Sequence, residues 1–495
     1  MNGLDWVCDD WRKSGLTRAT GERAPRCRIL GTRLVLACAI FTSRIRPLSI
    51  PEGFTMSALN WVRRNFPAVL TGLLIGATAL PATAVPAFAR QTGKACTSCH
   101  FQHFPALNDF GMDFKAGGYV DMKNKPLAGP SLSLADSLYG SLFTKIRYQK
   151  TNGTDGAPAG GLPTKSTHSG ELQFPDEFAL LLGGRVAKNI GFMLEGQLAG
   201  EGPVLAGFKM PMLWEVAGQR LGVVPFTTDA LGASYGFELL NTGAVRNVRI
   251  SEHRAETSAQ QYVFFQGTAP GGNTAGATTG FSFFLHNPNF YVVVAPHTPN
   301  HLPGGGSQLG GLSSTYLRAV ATPTVAGWSL AAGVQAWTGS NSRFNDGTDV
   351  VGVSTKGWAV DAQAQGAVGA MPLGVYFAHA KAPGTVAGSA TPNLFNANAN
   401  ARRATTLTAE LGVLPQKATV QLSFRRANNG AAIAGSDNAT TLGATYQLDQ
   451  NVQLQFAHSV RQKGNNGVGR YGPNAVADGT RSGDALTTLM LSAGF

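Results

Sequence analysis

From about Ala135 to Phe495 the sequence alternates with a period of two, and few folds accept that pattern over so long a run. Trp358, Val360, Ala362 and Ala364 interleave with Ala359, Asp361, Gln363 and Gln365. Leu407, Ala409 and Leu411 interleave with Thr408 and Glu410, and Val420, Leu422 and Phe424 with Gln421, Ser423 and Arg425. Val452, Leu454 and Phe456 repeat the pattern against Gln453, Gln455 and Ala457. Alternation of this kind is strand patterning. Short turns such as Asp449-Gln450-Asn451 and long polar stretches such as Asn428 to Asp437 separate the strands. A soluble sandwich also alternates, but some 360 residues without a break in composition exceed one sandwich. Only 14% of residues are charged and 62 are Gly, against about 25% charged and about 7% Gly in ordinary soluble domains. A chain poor in charge and rich in alternating strands fits an all-β transmembrane barrel, whose outward residues meet lipid and whose inward residues meet water. At roughly 20–24 residues per strand and loop, the segment 135–495 holds about sixteen strands.

A barrel in an outer membrane has to be exported, and the sequence carries an export signal. Met56 opens a segment with Arg63 and Arg64, an apolar stretch from Ala68 to Leu80, and Ala87-Phe88-Ala89 at its end. This order of basic, apolar and small residues predicts a signal peptide over 56–89, cut after Ala89. Residues 1–55 then precede the signal and read as an upstream extension outside the native start. Cleavage leaves Cys96 and Cys99 of five cysteines, so no disulfide framework is expected. It also removes 11 basic and 5 acidic residues, lowering the net charge from +12 to +6. The high overall charge is therefore no sign of a nucleic-acid partner.

The surviving cysteines stand in Cys96-Thr97-Ser98-Cys99-His100. C-x-x-C-H is the spacing of covalent c-type haem attachment. Two thiols on one short turn reach the two vinyl groups on one porphyrin edge, and the following imidazole lies under the iron. A four-Cys zinc site is excluded by the count of cysteines, and a redox dithiol would need a βαβ context. Met112 is the first candidate for the sixth ligand, with Met122 and an open or differently ligated site as alternatives. His103 is too close in sequence to His100 to reach the opposite ring face. Residues 90–134 are too few to be stable alone, so they should lean on the barrel.

Other polar groups read as structural. His297 and His301 are four apart, but Pro296, Pro299 and Gly304-Gly305-Gly306 make the stretch a solvated loop. Asp346 and Asp349 lack the further carboxylates a cation site needs. No nucleophile and base stand in a catalytic arrangement.

Arg90-Gln91-Thr92-Gly93, the Cys96–His100 motif, Pro105-Ala106-Leu107-Asn108-Asp109-Phe110-Gly111 and Phe114-Lys115 with Gly117-Gly118-Tyr119 resemble the fused monohaem cytochrome–porins of iron-oxidising bacteria. The terminal run Leu489 to Phe495 looks like the assembly signal of outer-membrane barrels. The resemblance implies a cytochrome c segment over 90–134 and a porin-like barrel over 135–495 in the outer membrane of a Gram-negative bacterium. It implies one covalent haem c on Cys96, Cys99 and His100. It also implies electron uptake from an extracellular donor, Fe(II), and delivery to a periplasmic carrier such as a soluble cytochrome. On that reading the chain is an Fe(II) oxidase acting by one-electron transfer. The alternatives are a solute-conducting porin with a structural or sensory haem, and a periplasmic cytochrome with an adhesive β-domain.

Overall fold

The computed structural model describes residues 87–121, 127–128, 133–134, 139–152, 170–199, 204–265, 275–301, 310–345, 349–432, 435–461 and 484–495. The expected signal peptide up to residue 86, the upstream extension, Met122 and Asp346 lie outside them. Sixteen staves run antiparallel and close on themselves. They are β1 Tyr139–Thr151, β2 Glu171–Ala187, β3 Ile190–Ala199, β4 Leu205–Lys209 with Met212–Val216, and β5 Gln219–Thr228. There follow β6 Thr278–Asn287, β7 Phe290–Thr298, β8 Ser314–Ala321 with Thr324–Val325, β9 Trp328–Asn345, and β10 Asp349–Ser354 with Gly357–Val368. The last are β11 Met371–Ala382, β12 Arg402–Leu414, β13 Ala418–Asn429, β14 Ala439–Asp449, β15 Val452–Arg461 and β16 Ala485–Gly494. β16 pairs with β1 from Leu486–Thr151 to Gly494–Phe143. Phe495 adds two backbone bonds with Leu142, of 2.6 and 2.8 Å. Closure pairs the first stave with the last, as a wall in hydrocarbon requires.

The alternation sorts side chains as expected. On β13 Val420, Leu422 and Phe424 are exposed on the outer face, while Thr419, Gln421, Ser423 and Arg425 are buried in the lumen. On β10 Asp361, Gln363 and Gln365 face in, and Trp358 faces out. An apolar exterior around a polar interior is the arrangement of an outer-membrane, porin-like barrel.

The two ends differ. Two residues join β2 to β3 (Lys188, Asn189), β4 to β5 (Ala217, Gly218), β6 to β7 (Pro288, Asn289) and β10 to β11 (Gly369, Ala370). The connections at the other end are longer, running over 152–170, 229–277, 299–313, 383–401 and 462–484. Short turns face the periplasm in such barrels and long loops face outward. β1 starts and β16 ends at the short-turn end.

The run of strands is less continuous than the sequence suggests. The first stave begins at Tyr139, and the β5–β6 connection, 229–277, interrupts the pattern. Its described part, 229–265, folds into the lumen. The short helical turns Ser251–His253, Arg254–Thr257 and Gln261–Phe265 bring its polar groups to the wall. His253 bonds Ser459 (2.7 Å) and Thr488 (2.9 Å), the Ala259 amide reaches Thr406 (3.1 Å), and Ser423 donates to the Glu256 carbonyl (3.0 Å). Arg318 of β8 pairs with Glu238 of the loop (3.1 Å) and Asp361 of β10. Leu239, Leu240, Val263 and Phe264 are fully buried. A period of two ends where the chain stops dividing lipid from lumen and is enclosed on every side.

Among the described residues, two helices come before the barrel, α1 Ala87–Thr92 and α2 Asp109–Ala116, with a 3-10 turn, Cys96–Ser98, between them. α1 runs across the expected cleavage point. Its Phe88 stacks on Tyr119 (4.9 Å) and meets Phe114 edge-on (5.4 Å).

Candidate cofactor site at the short-turn end of the barrel

Cys96, Thr97 and Ser98 form the 3-10 turn, and the amides of Cys99 and His100 both return to the Cys96 carbonyl, at 3.2 and 3.0 Å. The turn therefore carries Cys96, Cys99 and His100 on one short stretch of backbone. Asn108 holds it from the other side. Its Oδ1 accepts from the Gly111 amide at 2.9 Å, capping α2, and its Nδ2 donates to the Ser98 carbonyl at 3.1 Å. α2 packs so tightly on the turn that a Cβ at Gly111 would collide with the Cys99 carbonyl oxygen. Residues 99–108 form a miniature hairpin. His100 bridges Leu107, Phe101 donates to the Ala106 carbonyl (2.8 Å), and the Asn108 amide donates to Cys99 (3.0 Å).

The chemistry of the donor set follows from these contacts. Cys96 and Cys99 are free thiols. Burial pushes both up from their ordinary range, which disfavours the thiolate form. His100 Nδ1 sits 3.1 Å from the Ala106 carbonyl, the bond that selects the tautomer presenting Nε2 as a lone pair. Desolvation holds the imidazole down to about 4, so it is neutral in ordinary buffers. Two adjacent thiols and an oriented neutral imidazole fit covalent haem with a proximal histidine. Met112 is buried on α2, in the apolar cluster shared with the lumen loop, and its sulfur lies 3.8 Å from Gln363 Nε2 of β10.

His103 is committed elsewhere. Its Nε2 bonds Glu410 of β12 at 2.8 Å, both groups fully enclosed, and its Nδ1 lies 2.9 Å from the Phe104 carbonyl. Burial opposes a charge on His103, but the Glu410 carboxylate outweighs it and raises the pKa above the ordinary value. The stabilisation is thus complete below about pH 6.5 and is lost as pH rises through the raised value. We expect the segment's resistance to protease, in the intact protein, to fall with rising pH, and Glu410→Gln to flatten the profile. A flat profile in the unmodified protein would count against this tie.

The remaining docking contacts join the segment to the same end of the barrel. Gln450, in the β14–β15 turn, accepts from the Cys96 amide (3.4 Å), and Gln453 donates to the Phe104 carbonyl (3.1 Å). A Cβ at Gly191, where β3 begins, would strike the Gly118 carbonyl oxygen. Asn241 and Gln365 both bond the Leu107 backbone. None of these barrel residues was flagged by the sequence, and no local signal marks them. The His297–His301 stretch also differs from expectation. His297 lies in β7 and is buried, not in a solvated loop, because its inward position continues the alternation. His301 spends both ring nitrogens, on Thr227 (2.7 Å) and the Leu205 carbonyl (2.6 Å), so the two do not converge as ligands.

No family model matches the chain, and no curated protein does. Among solved structures, the anion-selective porin from Comamonas acidovorans is similar at 13% identity over 72% of this chain and 99% of its own, with a TM-score of 0.42. OmpT of Vibrio cholerae is similar at 8% identity over 75% of this chain and 100% of its own, with a TM-score of 0.38. The outer membrane channel DcaP of Acinetobacter baumannii is similar at 10% identity over 72% and 97%, with a TM-score of 0.38. The barrel itself stands on its closed strand pairing.

Proposed function

We propose that this chain is an outer-membrane cytochrome–porin fusion carrying one covalent haem. It takes electrons from Fe(II) outside the cell and delivers them to a periplasmic carrier such as a soluble cytochrome. The observation that carries the reading is the Cys96–Cys99–His100 turn seated on the barrel's short-turn end, with His100 Nδ1 tied to Ala106. Cys96 and Cys99 would anchor the haem and His100 would ligate its iron, with Met112 the candidate for the opposite side. When bound, the group supplies a one-electron couple, tuned by ligand, burial and hydrogen bonds.

The chain's own residues supply the rest. Position at the short-turn end suits exchange with a periplasmic carrier. The lumen above it holds the 229–265 loop, cross-tied to β10, β12, β13, β15 and β16, which favours a conduit over an open solute pore. Oxidising iron outside the cell keeps poorly soluble ferric iron from precipitating within it. No general acid or base is needed for electron transfer.

The test is an absorption spectrum of the membrane-bound protein before and after Fe(II) is added. The haem bands should convert to the reduced form. If they do not at any pH from acid to neutral, Fe(II) is not the donor. Liposome swelling supplies the second arm, with slow solute entry expected. Rapid flux that is unchanged when haem is lost would instead identify a solute porin.

A further inference from the structure

The hairpin that orients His100 is held on its free edge by a residue 134 positions away, in the lumen loop. Asn241 is fully enclosed and presents both halves of its amide to one residue. Its Oδ1 accepts from the Leu107 amide at 2.7 Å, and its Nδ2 donates to the Leu107 carbonyl at 2.9 Å. A side-chain amide can do this because it carries the same donor and acceptor as a peptide group. Asn241 thus occupies the place of a third strand beside the hairpin.

The opposite edge of the same strip faces the cofactor turn. Ala106 accepts from His100 Nδ1 (3.1 Å) and the Phe101 amide (2.8 Å), and the Asn108 amide donates to Cys99 (3.0 Å). The Leu107 peptide groups cannot rotate without breaking bonds on both sides. Asn241 is itself fixed, since its amide donates to Gln363 Oε1 of β10 at 2.9 Å. Gln365 Nε2 adds a second donor to the Leu107 carbonyl at 3.0 Å.

We propose that Asn241 is a positioning residue for the haem ligand: by clamping Leu107 it fixes the Ala106 carbonyl that orients and polarises the His100 imidazole. This deepens the function proposed above and rests on it. The consequence is electronic. A firm bond from Nδ1–H to a carbonyl increases the donor strength of Nε2 and favours the oxidised iron, and the partner that supplies it affects metal sites about as strongly as some ligands do. A loosened strip lets that bond lengthen and favours the reduced form.

The experiment compares the full-length protein in detergent with Asn241→Leu, which removes both bonds, and Asn241→Asp, which keeps the acceptor for the Leu107 amide. Three readouts are taken: midpoint potential by redox titration, electron paramagnetic resonance of the oxidised form, and hydrogen exchange at the Leu107 amide in haem-free protein. For Asn241→Leu, about tenfold more reduced protein at a fixed applied potential is expected, equal to about 59 mV for one electron. Shifted resonance values and faster Leu107 exchange should accompany it. Asn241→Asp should retain slow Leu107 exchange and show a different, smaller change in the resonance values. If Asn241→Leu does not fold, the resonance shift in Asn241→Asp decides. Unchanged potential and resonance in a folded, haem-loaded Asn241→Leu overturn the proposal. Absence of covalent haem from the unmodified protein overturns the functional reading itself, and is seen before any variant is made.

Discussion

The double variant Cys96→Ala, Cys99→Ala is expected to lose all covalent haem while its barrel remains folded in the membrane. Each thioether depends on one sulfur, so replacing both removes every covalent tie. Both cysteines are only partly buried, and the change to Ala sacrifices little packing. The barrel draws its stability from a different source. Its wall is a closed ladder from β1 to β16 with Phe495 sealing the seam against Leu142, and its outer face is apolar. Neither contribution involves the Cys turn. Haem staining on a denaturing gel should vanish, and the heat-dependent shift in gel mobility typical of closed barrels should persist. His100→Ala should differ. Its thioethers can still form, but the proximal imidazole is gone, so covalent haem remains with an altered spectrum. Loss of the mobility shift in the double variant would make the cofactor segment a keystone of the barrel. Covalent haem surviving both substitutions would refute the assignment of the anchor residues.

The wall was legible in the sequence because its two faces meet different media. Leu422 and Phe424 against Gln421, Ser423 and Arg425 is a contrast that lipid on one side and lumen on the other impose directly. The Cys96–His100 turn was legible because its geometry is local: five consecutive residues form it, and Asn108 and Gly111 complete it from nearby. The lumen loop was not. His253, Thr257 and Gln261 are buried like Phe264, but their partners are polar, wall hydroxyls for His253 and the Arg254 carbonyl, Gly243 carbonyl and Ser258 hydroxyl of the loop itself for the other two, so burial leaves no apolar signature. His297 escaped for a related reason, since inward positions of a barrel are polar and a buried histidine there looks like a loop residue. The residues that grip the segment, Asn241 of the lumen loop and Gln365, Glu410 and Gln453 of the wall, are linked to it only through long-range contacts. Nothing in the neighbouring residues distinguishes Gln365 from any other lumen glutamine.

Which end of the barrel holds the segment follows from parity and turn length. An even number of staves returns the C-terminus to the end where β1 began, so a segment placed before β1 starts there too. That end carries the two-residue turns, and the segment's contacts with Gln450, Gly191 and Ser329 all fall beside such turns. On the function proposed above, a periplasmic carrier would therefore have the shorter approach. On the same proposal, electrons from an outside donor would have to cross the remaining lumen, whose wall spans an apolar band about 25 Å tall. The loop 229–265 occupies that interval, and its Asn241 also clamps Leu107 opposite His100.

Residues 90–134 expressed without the barrel are expected to remain poorly ordered even when haem is attached. A chain of this length buries too little apolar surface to offset the entropy of ordering it. The structure specifies what it would lack. Its cluster of Phe114 and Tyr119 needs Phe88, which lies before Arg90, to stack on Tyr119 and meet Phe114. Met112 and Ala116 pack into a core completed by the lumen loop and by Leu213 of β4. His103 would face solvent without Glu410, and both peptide groups of Leu107 would lose Asn241. The measurement is haem spectra and limited proteolysis of the segment alone, beside the same digestion of the intact protein. Rapid cleavage between Arg90 and Leu134 is expected in the fragment, and protection in the full chain. A compact, protease-resistant cytochrome made from residues 90–134 would show that the barrel merely carries it, and that the two parts do not fold as one unit.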